Sequence, residues 1–320
     1  MLPLASTTRT LACGAVALVA LLALGRVIPD WLVSLATLVF ANGLAALGLL
    51  VMVRCGTVSF GQGLVFAAGG YAAALLFNQL GVTDIAVLCL SGGVAGVVII
   101  LPFAPLLARY RGIFFAMLTL ALSMVFYGLL MKTHALGGSD GFNIGRGTLF
   151  GWQPPDGDYQ YVMWGVAATL TCISAALVRI YFDSQRGLLS LGVRENELRV
   201  EYLGTSVTHL VAFNTLIAAA LGGLGGALTL LSLGHIDPHF AFWSTSGELV
   251  FVAILAGFRS VSAVFVAALV LELVRSYSST YFPSTWQMLL GIFLLLVIRF
   301  LPDGLGSLVQ RVRPLRRRTA

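Results

Sequence analysis

Charge is what this sequence has least of. Only 10% of its 320 residues are Asp, Glu, Lys or Arg, where a soluble domain carries roughly 25%. Lysine is nearly absent: Lys132 is the single example among 19 basic residues, a bias read as base composition of the gene and not as function. Cysteine is also scarce. Cys13, Cys55, Cys89 and Cys172 lie in or beside apolar stretches and form no C-x-x-C pair, which argues against a disulfide framework and a zinc site. No G-x-x-x-x-G-K-[ST] phosphate loop is present. The glycine clusters lack the strand-before, helix-after context that a G-x-G-x-x-G phosphate site requires. The chain is therefore expected to hold no nucleotide, metal or other cofactor of its own and no catalytic site.

What fills the space is hydrocarbon. Hydrophobic residues make up 58% of the chain and mean hydropathy is +0.95. Several apolar runs reach the ~20 residues that cross a ~30 Å hydrocarbon core. They are continuous, not the short alternating segments of a transmembrane β-barrel. The expected fold is thus an all-α polytopic membrane protein, one transmembrane domain over residues 1–320. Ten spans are predicted, near 10–28, 31–53, 57–77, 85–107, 112–131, 160–180, 207–231, 243–257, 260–276 and 285–301. The eighth and ninth are short enough to form one broken hairpin instead. Residues 11–25 imitate a signal-peptide core, but the apolar run continues to Ile28 and reads as a first helix. Glycine clusters, among them Gly92-x3-Gly96 and Gly222-x3-Gly226, predict helices crossing at close range.

Basic residues orient the spans. With the N-terminus inside, fifteen of the 19 fall on the inner side, Arg9, Arg54, Arg109, Arg111, Arg259 and a basic tail (306–320) among them. Arg26, Lys132, Arg146 and Arg275 fall on or near the outer side, with acids such as Asp30, Asp84, Asp140, Asp156, Asp158 and Asp237. The asymmetry favours an even number of spans with both termini in the cytoplasm. A net charge of +6 with arginines crowded into the tail reads as membrane anchoring and not as nucleic-acid binding. The turn-rich stretch 132–159 becomes an external loop, a reentrant or docking element or a plain linker. Residues 182–206 become a cytoplasmic loop.

That cytoplasmic loop holds a dense polar island: Arg186, Arg194, Glu195, Glu197, Arg199 and Glu201. Glu195 and Arg199 are spaced i,i+4 in the favourable order. Leu191, Leu198 and Tyr202 fall on one helical face and Glu197 and Glu201 on the opposite one. Gly187 and Gly192 precede the helical part, and Gly204 stands where a C-terminal cap is expected. The prediction is one amphipathic helix of roughly three turns. A solvated loop helix, an interfacial anchor and a protein-docking element all fit the pattern. Balanced acids and bases speak against the anchor, whose polar face favours Lys and Arg.

The segment G-L-L-S-L-G-V-R-E-N-E-L-R-V-E-Y-L-G (187–204) resembles the cytoplasmic loop of LivM-type permeases, the branched-chain amino-acid subunits of ABC importers, whose pattern approximates G-R-A-L-x-A-I-R-E-N-E-x-R-A-E-A-L-G. S-F-G-Q-G-L-V-F-A-A-G-G-Y (59–71), R-G-I-F-F-A-M-L-T-L-A (111–121), G-G-S-D-G (137–141), G-H-I-D-P-H-F-A-F-W-S-T-S (234–246) and L-P-D-G-L (301–305) resemble further family segments in the same order. Two stretches depart from it: A-G-F-R-S-V-S-A-V (256–264) replaces a glycine-rich turn, and Leu188, Leu189 and Ser190 stand where small or basic residues are usual. The resemblance implies an ABC importer permease of the bacterial cytoplasmic (inner) membrane. It implies that Gly192, Arg194, Glu195, Asn196, Glu197, Arg199, Glu201, Leu203 and Gly204 belong to a coupling helix seated on a cytoplasmic ATPase. It further implies a second homologous permease subunit, two ATPase subunits that bind ATP and Mg, an external solute-binding protein, and a branched-chain amino acid or similar small polar solute. A urea or short-amide permease is the nearest alternative, and a standalone secondary transporter or an intramembrane enzyme the more distant ones.

Polar residues inside spans are functional candidates by default. Asn42, Gln62, Thr119, Ser123 and Glu248 are the candidates for a translocation path. Thr119 and Ser123 share a helix face, although hydroxyls of this kind also bond back to their own helix. Glu272 stands one turn before Arg275 and is expected to pair with it. His235, Asp237 and His239 with Glu248 invite a metal or catalytic reading, which Pro238 and a turn-like context oppose.

Overall fold

The computed structural model describes residues 4–155, 157–258, 260–300 and 304–305. Asp156, Arg259 and the basic tail 306–320 lie outside the described residues. The described chain is a stack of helices: α1 (Leu4–Gly25), α2 (Asp30–Arg54), α3 (Gln62–Leu80), α4 (Ile85–Ile100), the single turn α5 (Ala104–Leu107), α6 (Gly112–Lys132), α7 (Tyr159–Asp183), α8 (Gln185–Glu195), α9 (Glu197–Tyr202), α10 (Val207–Leu233), α11 (Trp243–Ala256), α12 (Val261–Tyr281) and α13 (Trp286–Phe300). Six of them, α2, α3, α6, α7, α10 and α12, are long and apolar enough to cross a bilayer, and four shorter apolar helices lie at Thr10–Gly25, Ile85–Ile100, Trp243–Ala256 and Trp286–Val297. The protein is an all-α polytopic membrane protein.

The core forms where α10 packs on α2, α3 and α4. The reason is glycine. A Cβ at Gly223 would stand 2.1 Å from the Gly92 carbonyl oxygen, and one at Gly226 would stand 1.8 Å from that of Phe66. No side chain fits at such distances, so backbones touch directly and dispersion acts over the whole crossing. Leu44, Leu47, Leu50, Leu88, Leu228 and Leu230 fill the surrounding layer.

Two span boundaries differ from expectation, and one open alternative is decided. The third helix begins at Gln62, not at 57, because Thr57 to Gly61 run as buried, non-helical chain. The fourth ends at Ile100: Pro102 follows, and the chain turns into α5 instead of continuing to 107. Proline in a helix interior would remove a backbone donor and clash with the preceding turn. The eighth and ninth spans are two separate helices, α11 and α12, with a non-helical break after Ala256.

The stretch between α6 and α7 holds no long helix. It folds back on the bundle, its strand β1 (Phe142–Asn143) pairing antiparallel with β2 (His235–Ile236) beyond α10. Gly141 enters this pairing at φ +67°, so close that a Cβ would sit 1.9 Å from the Ile236 carbonyl oxygen. Asp84 caps α4 through the amides of Ala86 and Val87, and its second oxygen accepts from Phe150 of the same loop at 2.7 Å. This loop marks one end of the bundle. The α8–α9 segment marks the other.

Candidate functional site

The stretch from Ser184 to Gly204 is not one helix but two. Asn196 takes an extended conformation (φ −162°, ψ 106°) that ends α8, and its side chain accepts from the Arg199 amide to start α9. Ser184 caps α8 and Ser206 caps α10 in the same way, each satisfying an amide at a helix start that would otherwise lack a partner. Gly187 and Gly192 lie inside α8 instead of preceding it. A Cβ at Gly187 would come 2.2 Å from the Tyr181 carbonyl oxygen, so this glycine lets α8 fold tightly against the end of α7. Glu195 and Arg199 stand on different helices, and the expected i,i+4 pair on a single helix does not exist. Gly204 does follow α9 in the left-handed region, at φ +80°.

The segment is seated by one apolar face. Leu189, Val193 and Val200 pack with Cys55, Ala108, Val207, Leu210 and Val211, which brings the ends of α2, α5 and α10 together beneath it. A polar network reinforces the seat. Asn214 donates to Ser190 Oγ at 3.0 Å and accepts from the Tyr181 hydroxyl, and Ser190 in turn donates to the Arg186 carbonyl oxygen at 2.9 Å. Ser190 and Asn214 are both buried, so these bonds replace the water that neither can reach. Burial pushes the neighbouring Cys55 thiol up to about 11.

Charge ties the segment to the membrane helices. Arg111, at the start of α6, donates through Nε to Glu197 and through Nη1 to the carbonyl oxygens of Ala108 and Tyr110. Arg194 lies 3.6 Å above the Phe258 ring in the turn between α11 and α12, and Arg186 lies 4.9 Å from the Phe213 ring. Away from the bundle the segment is greasy: Leu198, Tyr202 and Leu203 are 64%, 88% and 74% exposed. Leu188 is exposed as well, while Glu195 and Glu201 stand on the exposed side among these apolar groups.

The intramembrane candidates separate into two places. Asn42 and Glu248 line a cavity of roughly 460 Å³ among α2, α10, α11, α12 and α13. Glu272 and Arg275 share it. The expected Glu272–Arg275 pair gives way to a different pairing: Arg275 donates to Glu248 at 3.2 Å, and Asn42 donates to Glu272 at 3.4 Å. Positions three apart are neighbours on a helix face, yet both side chains here reach across to partners on facing helices. At the loop end of the bundle the cavity is bordered by exposed His239, Ser279 and Gln287. Toward the α8–α9 end it meets Phe66, stacked on Phe240 at 5.9 Å between ring centroids, with Leu49, Leu249 and Val250 in the same apolar cluster.

Beyond that cluster stand the other three candidates. Gln62, 2% exposed, donates to the carbonyl oxygens of both Ala45 and Ala218 at 3.0 Å and so pins α3 to α2 and α10. Thr119 bonds back to its own helix and also accepts from the Phe60 amide at 3.1 Å, holding the non-helical 57–61 stretch. Ser123 donates to the Ala241 carbonyl oxygen at 2.8 Å. Gln62 and Thr119 face a pocket of only ~20 Å³, about the space of one water. The path candidates are thus an open charged cavity and a closed polar constriction.

Among the described residues no three His, Cys, Asp or Glu side chains, His235, Asp237 and His239 included, form a group that could hold an ion. Asp237 caps the short turn after β2 by accepting from the His239 amide, and His235 pairs with Asn143 at 2.7 Å. Gly137 to Gly141 has the letters G-x-S-x-G, but it folds around a single 3-10 turn, Gly138–Asp140, not as the strand-to-helix turn of a nucleophile elbow.

Sequence reasoning missed Arg111, Ser190, Asn214 and Arg275 as working parts. For Arg275 the signal was present in its being an ionisable residue near a helix end beside Glu272. For Ser190 and Asn214, 24 residues apart, no local pattern links the two.

Comparison with known proteins agrees with this architecture. The family model described as branched-chain amino acid transport system / permease component matches residues 31–298. The high-affinity branched-chain amino acid transport system permease protein LivM of Salmonella typhimurium is 28% identical over 296 residues, covering 85% of this chain and 69% of the relative. LivM of Escherichia coli K12 is similar to the same extent, 28% over 296 residues with the same coverage. No solved structure matches.

Proposed function

The chain belongs to the family of branched-chain amino acid transport system permease components, and from that membership we propose that it is the membrane subunit of an ATP-driven importer. It carries a branched-chain amino acid or a close small polar analogue inward. Ten apolar helices cross the bilayer with both termini in the cytoplasm, which puts the α8–α9 segment inside and the 133–158 loop outside. ATP and Mg are bound by two partner ATPase subunits. A second homologous permease completes the path, and an external solute-binding protein delivers the substrate.

The observation that carries this reading is the two-sided build of α8–α9. One side is locked to α2, α5, α6 and α10 by Val193, Val200, the Ser190–Asn214 bond and the Arg111–Glu197 bridge. The other side offers Leu198, Tyr202 and Leu203 to the water phase, where exposed apolar residues grouped on one short helix suit contact with another protein. An element fixed on one face and sticky on the other transmits a push. Movement of the ATPases would reach Asn214 on α10 and Arg111 on α6 as rigid-body displacement, and the glycine-locked core would carry it to the constriction at Gln62 and Thr119. Exposed His239, Ser279 and Gln287 border the cavity at the loop end and buried Phe66 borders it toward α8–α9, which supports reading it as an outward-facing state.

Reconstitution tests it. Proteoliposomes holding this chain with its permease and ATPase partners should accumulate radiolabelled leucine only with ATP on the ATPase side and binding protein on the other. Equal uptake from vesicles lacking the ATPases would make the chain a secondary transporter and end the proposal.

A further inference from the structure

The cavity at Asn42, Glu248, Glu272 and Arg275 combines three properties seldom found together within a membrane domain. It holds fixed charges of both signs, it has apolar walls, and it is wide enough for a small molecule. Ionisable side chains in spans are expensive, and they face a cavity or a partner. Here two carboxylates and one guanidinium do both. Arg275 is steered from two directions, donating to Glu248 at 3.2 Å and lying 5.8 Å from the Trp286 ring centroid. The fork of a guanidinium matches a carboxylate in two-point contact. Among the described residues Glu272 is held only by the long Asn42 contact of 3.4 Å, which leaves most of its acceptor capacity for a cation. Leu249, Val252 and Leu271 supply an aliphatic wall beside the charges. The volume of roughly 460 Å³ falls within the range of small-molecule sites.

We propose that this cavity binds the transported solute itself as an α-amino acid zwitterion, with Arg275 on the carboxylate, Glu248 and Glu272 around the ammonium, and the Leu249–Val252–Leu271 wall against the aliphatic side chain. The inference rests on the permease reading above and adds a selective site inside the membrane subunit. A neutral solute such as urea offers no charge in exchange for the Arg275–Glu248 contact. A bare cation would meet Arg275 beside Glu248, and a bare anion would meet two carboxylates. A ligand carrying both charges close together answers Arg275 and a carboxylate at once, and binding then exchanges the Arg275–Glu248 contact for two contacts with the ligand.

The test uses the assembled importer in lipid nanodiscs without its binding protein, probed with radiolabelled leucine. Saturable binding is expected, displaced by valine and isoleucine but not by leucinamide, which lacks the carboxylate, nor by 4-methylpentanoate, which lacks the ammonium. Arg275→Gln and Glu248→Gln should each weaken leucine binding by about tenfold or more. A second measurement guards against misfolded variants. With Cys13→Ala and Cys172→Ala as background, leucine should slow thiol modification of Ser244→Cys and Ser276→Cys at the cavity wall, and leucinamide should not. Absence of saturable binding in an importer that transports leucine with its binding protein would overturn the inference. So would displacement by leucinamide or 4-methylpentanoate as effective as by valine, or unchanged binding in both charge variants. An importer that moves no leucine under any condition would instead remove the permease reading on which the site depends.

Discussion

Glu197→Gln is the sharpest single perturbation of the proposed transmission. The substitution keeps the shape and an acceptor oxygen but removes the charge facing Arg111. Side-chain exposures of 28% for Arg111 and 39% for Glu197 place the bridge in partly screened surroundings, so its contribution is about 1 kcal/mol and not the several kcal/mol of a buried pair. In a coupling equilibrium that is about fivefold. Arg111→Gln should cost more, because the guanidinium also ties the Ala108 and Tyr110 carbonyl oxygens at the start of α6. The assay is the ratio of ATP hydrolysed to leucine imported in proteoliposomes. Both variants should raise that ratio, Glu197→Gln severalfold, with insertion and assembly intact. The double variant should be little worse than Arg111→Gln alone, since residues of one ion pair are not additive. Unchanged ratios in both single variants, or fully additive effects, would refute a coupling role for the bridge.

Other perturbations test the supporting parts. Asn214→Ala removes the side chain that donates to buried Ser190 and accepts from the half-buried Tyr181 hydroxyl and should destabilise the purified complex by roughly 1–3 kcal/mol, seen as a lower melting temperature; an unchanged melting curve would show the network to be idle. Gly226→Ala forces a Cβ into the Phe66 carbonyl oxygen, and overpacking of this kind costs about 1–3 kcal/mol or more. A monodisperse, fully stable Gly226→Ala protein by size-exclusion would contradict the tight α3–α10 crossing. Cys55, raised from 9.0 to about 11 by burial under α8–α9, should hold its thiolate about 100-fold rarer at pH 8 than an ordinary thiol. Its maleimide labelling should be slow at pH 8 and rise only as pH climbs toward 11; rapid labelling at pH 8 would mean that the segment does not cover it.

Much of the scaffold was legible in the chain because hydrocarbon length and period are local quantities. Apolar runs located the helices, and Gly92-x3-Gly96 and Gly222-x3-Gly226 announced close crossings that the structure places against α10 and α3. Where a local signal was overlooked, it was a residue that acts on the backbone at a helix end. Asn196 ahead of Glu197 is a helix start, and Pro102 is a helix end. The 57–61 stretch misled because its residues are apolar enough for a span, yet its amides are satisfied by Thr119 and Ser59 hydroxyls instead of a helix. The working contacts were illegible for a different reason. Arg111 meets Glu197 across 86 residues and Asn42 meets Glu272 across 230, and such pairings follow from the packing of whole helices, not from any spacing along the chain.

The most direct test of the account is where the exposed face of α9 lies in the assembled importer. Tyr202→Cys, with Cys13 and Cys172 replaced by alanine, should cross-link to single cysteines placed along a surface groove of the ATPase partner, and ATP should change the yield. A functional importer in which Tyr202→Cys reaches lipid or solvent reagents freely, and never the ATPase, would contradict it.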